Sequence, residues 1–113
     1  AHLSDKTTIR RVFTDQVGIG YGMSGNLAKA RTIFLKGIAK DPGYASYYHN
    51  LVCADAGESN FSDAKTHLRE AFGRKANVIR GETLPDPMHD DSFLPYRGNK
   101  EFWTFLENLS RAR

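Results

Sequence analysis

Apolar side chains recur at helical spacing in two stretches that can be written one under the other. Ala30, Phe34, Gly37 and Ile38 share one helix face, and Ala64, Leu68, Ala71 and Phe72 share another. The two sets are offset by 34 residues without a gap. The same offset pairs Val17 with Leu51, Asn26 with Asn60 and Leu27 with Phe61. Small residues alternate with large ones on these faces, which lets a neighbouring helix approach closely while the large side chains fill the grooves beside it. Gly25-Asn26 and Ser59-Asn60 interrupt the pattern just before each such helix, as a turn followed by an N-cap does. Asp41-Pro42-Gly43 ends the first unit, because Pro42 cannot continue a helix. Each unit therefore reads as a helix, a tight turn and a second helix. The units span residues 11–44 and 45–76, and residues 1–10 extend the first helix.

The chain then changes character. Pro85, Pro87 and Pro95, with Gly81 and Gly98, forbid a long helix over residues 77–98. Asp90-Asp91-Ser92-Phe93 can start one short helical turn there. Asn99 caps a last helix within residues 99–113, with Phe102, Phe105, Leu106 and Leu109 on one stripe and Trp103 beside it. Phe102 follows Leu68, and Leu106 follows Phe72, by a further 34 residues. Phe105 is bulky where Gly37 and Ala71 are small, so this helix reads as a cap that ends the stack.

A helix–turn–helix unit with this period resembles the tetratricopeptide repeat (TPR) family. Val17, Gly18, Tyr21, Gly25, Leu27, Ala30, Phe34 and Pro42 carry the resemblance in the first unit, with Gly37 where the family prefers Ala. Tyr48, Leu51, Phe61, Ala64, Leu68 and Ala71 carry it in the second. Thr14, Asp55 and Ala76 depart from the pattern, standing where the family prefers a large aromatic, Tyr and Pro. The stretch from Gly81 to Phe93 also resembles tails that follow repeats in bacterial TPR proteins. The resemblance implies an all-α fold of antiparallel helix–turn–helix repeats in a right-handed superhelix, closed by the C-terminal capping helix.

The resemblance further implies an inner groove, lined by the first helix of each unit, that binds a peptide or a partner helix. By spacing, Val12, Asp15, Gln16 and Ile19 would face it from the first unit, and Ser46, His49, Asn50 and Cys53 from the second. TPR domains that clamp a partner's C-terminal carboxylate use paired Lys, Arg and Asn. Asp15 and Ile19 replace two of these, only Asn50 matches, and an acidic Asp15 would repel the carboxylate, so no such tail is expected to bind. The competing expectation is a groove filled by the chain's own tail or by another copy. With two full repeats, the stripe Ile9, Val12 and Phe13 could also seek a second chain, so the expected state is a monomer or a weak homodimer.

Composition narrows the remaining classes. The chain has 113 residues, enough for one domain, and a single cysteine, which excludes an internal disulfide framework. No apolar run is long enough to span a bilayer. The lone cysteine tilts the compartment toward the cytoplasm over export. The start at Ala1 suggests an excised or processed fragment. A net charge of +3 permits nucleic-acid binding without arguing for it. The basic run Lys65, Arg69, Arg74, Lys75 and Arg80 falls on a solvated outer helix with no interleaved aromatic, so nucleic acid is the weaker alternative.

Chemistry-bearing motifs are sparse. Gly20 to Gly25 satisfies G-x-G-x-x-G, but no second parallel strand follows, and a dinucleotide site needs one. Gly20 and Gly22 imply either a soft helix or a close neighbour. His49 and Cys53 have ligand spacing, yet two ligands do not make a metal site. Asp86, His89, Asp90 and Asp91 lack the glycine and terminal Glu of a calcium loop and read as helix caps. Asn60-Phe61-Ser62 and Asn108-Leu109-Ser110 are formal glycosylation acceptors. With no catalytic constellation in view, the expectation is a non-enzymatic interaction module with no cofactor and no metal.

Overall fold

The structure, a computed structural model, describes residues 5–112 and the side chains of residues 6–111. The predicted helices form in order: α1 (Asp5–Met23), α2 (Leu27–Lys40), α3 (Ala45–Gly57), α4 (Phe61–Gly73) and α5 (Lys100–Ala112). Two short 3₁₀ turns, Pro87–His89 and Asp91–Tyr96, lie before α5, where one turn was expected. Among the described residues there is no strand, and the fold is all-α. Helices α1 and α2 pack as one antiparallel pair and α3 and α4 as the next, with α2 against α3.

The 34-residue offset is visible in the turns. Asn26 caps α2 by accepting the Lys29 amide, and Asn60 caps α4 by accepting the Asp63 amide. The residue before each cap adopts positive φ, +89° at Gly25 and 61° at Ser59. A glycine takes that conformation without strain and a serine does not. The small–large faces are buried as paired: Ala30, Phe34 and Gly37 in α2, Ala64, Leu68 and Ala71 in α4. Gly37 is required by its neighbour, because a Cβ there would sit 2.9–3.1 Å from the Tyr47 ring.

Two apolar clusters result. Ala30, Phe34, Tyr44, Tyr47 and Leu51 join the helix pairs, with Ile19, Ile38 and Ile79 around them. Val52, Ala64, Leu68, Phe93, Phe102 and Leu106 form the second, which closes the C-terminal end of the stack under α5. Asn99 caps α5 as expected, accepting the Phe102 amide at 3.0 Å.

Arg11 is a buried organiser that periodicity did not single out. Its guanidinium grips Asp41 through two hydrogen bonds (2.5 and 2.9 Å) and reaches Asn77 Oδ1 at 3.3 Å. It also stacks over Tyr44. Asp41 is held below its ordinary pKa by the Arg11 hydrogen bonds. One side chain thus ties α1, the α2–α3 turn and the exit of α4 together.

Candidate functional site: the inner cleft

The segment after α4 returns across α3. Ile79 joins the inter-pair cluster, and the Tyr44 hydroxyl donates to Glu82 at 2.8 Å. Further on, His49 Nε2 meets Asp90 Oδ2 at 2.8 Å, and the His49 ring lies 6.0 Å from that of Phe93. Burial pushes the Asp90 carboxyl up, but the His49 hydrogen bond and the Ser92 amide outweigh it and leave Asp90 below its ordinary value. Asp86 fastens the other side of the segment by accepting from Ser110 Oγ of α5 at 2.5 Å. The acidic loop therefore serves as caps and fasteners: Asp86 caps the first 3₁₀ turn and Asp90 the second.

This strap changes the roles of residues that spacing assigned to the groove. His49 lines the inner cleft with its Nε2 held by Asp90. Asp15 is buried and accepts from Asn50 Nδ2 at 2.9 Å, so one N–H of the Asn50 amide is used within the protein. Burial raises the Asp15 pKa to about 6, despite the lowering effect of Asn50. Their engagement by distant residues, which spacing did not foresee, has one physical reason. A helical wheel shows which face a residue is on, but not whether another part of the chain covers that face.

Val12 and Gln16 remain exposed on α1, and Ser46 is half-buried. Ile19, together with His49, Asn50 and Cys53, lines a cleft of about 420 Å³ between α1, α2, α3 and the second 3₁₀ turn. Gly22, Met23, Leu27, Gly57 and Tyr96 complete most of its wall. Met23, which the spacing argument omitted, is its most exposed apolar edge at 84%. The end of α1 could have flagged it, because Met23 continues the Val12, Gln16, Ile19 face by one turn.

The glycine-rich end of α1 is open on this side. A Cβ at Gly20 would meet nothing within 4 Å, and one at Gly22 only the Ala30 methyl at 3.9 Å. The close approach falls instead at Gly18, where a Cβ would lie within 3.0 Å of three Phe34 ring atoms. G-x-G-x-x-G here spans the end of one helix and the turn to the next.

Burial pushes the Cys53 thiol up to about 11, so it stays protonated and a poor nucleophile at neutral pH. Among the described residues no three His, Cys, Asp or Glu side chains come together as a metal site would need. No helix among them is long and apolar enough to cross a membrane.

The outer basic run is more engaged than its spacing suggested. Arg69 lies over the Phe105 ring and Arg74 over Tyr48, both through tertiary contacts. Arg74 also donates to the Pro42 and Glu70 carbonyls.

Compared with known proteins, the chain matches no family model, no curated protein and no solved structure.

Proposed function

We propose that this chain is a non-enzymatic, TPR-like protein-interaction module that holds a partner's peptide or helix in the inner cleft. The observation that supports this reading is the cleft itself. It is an apolar trough beside Ile19, Met23, Leu27 and Tyr96, with Asn50 and His49 fixed along one wall by Asp15 and Asp90. Fixed polar groups beside an apolar slot can orient a bound backbone while the slot takes an apolar side chain. Asn50 is occupied and Asp15 is acidic, so a free C-terminal carboxylate is a poor fit. Engagement of Arg69 and Arg74 in the fold weakens the nucleic-acid alternative.

The test is selection from a displayed peptide library, followed by affinity measurement on purified protein. His49 and Asn50 are unsuitable probes because changing them would release the strap or strand Asp15. Met23→Glu places a charge on the cleft wall from an exposed position, and Ile19→Glu does so from a half-buried one, so its melting temperature is measured alongside. The reading requires peptides that bind the wild type and lose at least about tenfold on either change, while Lys75→Glu leaves them unaffected. Selected peptides that bind all three variants equally, or a selection that enriches nothing, would reject it.

A further inference from the structure

The two ends of the helix stack are finished differently. Helix α5 buries Phe102 and Leu106 against Val52, Ala64 and Leu68 at the C-terminal end. Among the described residues nothing comparable covers α1 and α2 at the other end. Phe13 is 68% exposed and Ile9 67%, on successive turns of α1. Beside Phe13 a second cleft, about 280 Å³, opens between α1 and α2 and is separate from the inner one.

Its composition is specific. Phe13 and Val17 form one wall, Ile33 faces them from α2, and the small residues Thr14 and Gly37 lie between. The buried Tyr47 ring closes the floor. Gly37 has no room for a side chain, since a Cβ there would run into the Tyr47 ring. Arg10, Lys36 and Lys40 rim the cleft. Its one carboxylate, Asp41, is already gripped by Arg11. Among the described residues, Arg10, Lys36 and Lys40 take part in no ion pair. Arg10 lies within electrostatic reach of Asp41, yet three cations against one carboxylate already held by Arg11 leave the rim net positive, and an apolar slot with such a rim has a defined complement.

We propose that this face docks an acidic amphipathic helix of a partner protein, its apolar stripe seated between α1 and α2 and its carboxylates against Arg10, Lys36 and Lys40. A helix fits because the slot runs between two antiparallel helices over about two turns, roughly 10 Å, the geometry in which a third helix sets its ridge into the groove. Small residues at the centre let that ridge come close. The cationic rim selects for charge and speeds encounter, and the apolar slot supplies hold. This surface is independent of the inner cleft, so the two can engage different partners.

The probe is a synthetic amphipathic helical peptide of about four turns with Leu on one face and Glu flanking it. A copy with Lys for Glu serves as the control. Fluorescence anisotropy should show the Glu peptide binding and the Lys peptide failing to bind, with affinity falling as salt is raised. Amide shift changes should map to Phe13, Val17 and Ile33. Phe13→Ala should weaken binding by at least about tenfold. Phe13 is largely exposed, so its helical signal and melting temperature should stay at wild type. Lys36→Glu with Lys40→Glu should abolish binding of the Glu peptide and admit the Lys peptide, which a merely damaged surface would not do. Equal binding of both peptides, no binding to the folded wild type, or shift changes confined to the inner cleft would overturn the proposal. So would a dimer in sedimentation experiments that Phe13→Ala dissolves, because a second copy would then be the occupant.

Discussion

The carboxylate of Asp55 meets the imidazole of His67 at 2.6 Å, joining α3 to α4 beneath the surface. Its other oxygen accepts from Arg31 of α2 at 2.8 Å, and Arg31 also pairs with Glu58. Asp55 is 1% exposed. A polar knot thus spans three helices. The Asp55 hydrogen bond raises the His67 pKa above 6.5. A raised histidine pKa stabilises the fold fully below about 6.5 and loses that contribution as pH climbs through the folded value. The melting temperature should therefore fall as pH rises above about 6.5, and His67→Gln should flatten that fall. Asp55→Ala removes the shared partner of His67 and Arg31, leaves Arg31 with Glu58 alone, and should cost about 1–3 kcal/mol in denaturant unfolding.

Asp15 acts in a different pH window. Its folded pKa of about 6 exceeds the ordinary 3.8 because the carboxylate is buried. The folded state therefore holds its proton more tightly, and stability declines as pH rises from about 4 to 6. Asp15→Asn keeps an oxygen that can accept from Asn50 and has no charge to bury. It should be more stable than wild type at pH 7.5 by about 1–3 kcal/mol, with the difference vanishing below pH 4. A wild-type advantage at pH 7.5 would show that the ionised carboxylate is favoured where it sits.

Two glycines in α1 should respond in opposite directions to the same substitution. Gly18→Ala drives a methyl into the Phe34 ring and should destabilise by about 1–3 kcal/mol. Gly20→Ala meets open space and removes backbone freedom from a helix interior, so it should stabilise by up to about 1 kcal/mol. Thermal melts of the two variants, run side by side, check the pair.

The turn before α4 carries strain that the turn before α2 avoids. Ser59 has φ of 61° where its counterpart Gly25 has +89°. Ser59→Gly should raise stability by about 1 kcal/mol. Gly25→Ser should lower it by a similar amount. Equal stabilities for all three proteins would mean that the Ser59 side chain recovers what its backbone loses.

The order of elements was legible because its causes are local. Helical spacing exposed the buried faces of α2 and α4, and Gly25-Asn26, Ser59-Asn60 and Asn99 announced helix starts through short-range capping chemistry. The cap was legible as well, since Phe102 and Leu106 make an apolar stripe that must find cover. The state of the inner groove was not. Whether His49 and Asn50 are free depends on Asp90 and Asp15, which lie 41 and 35 residues away in the chain. The same holds for Arg11 with Asn77 and for Arg69 with Phe105. Periodicity reports which face of a helix a residue occupies; only the folded chain decides what lies against that face. The sequence alone therefore determined the helices and their caps, and the tertiary structure decided which groups are spent inside the protein and which clefts stay open.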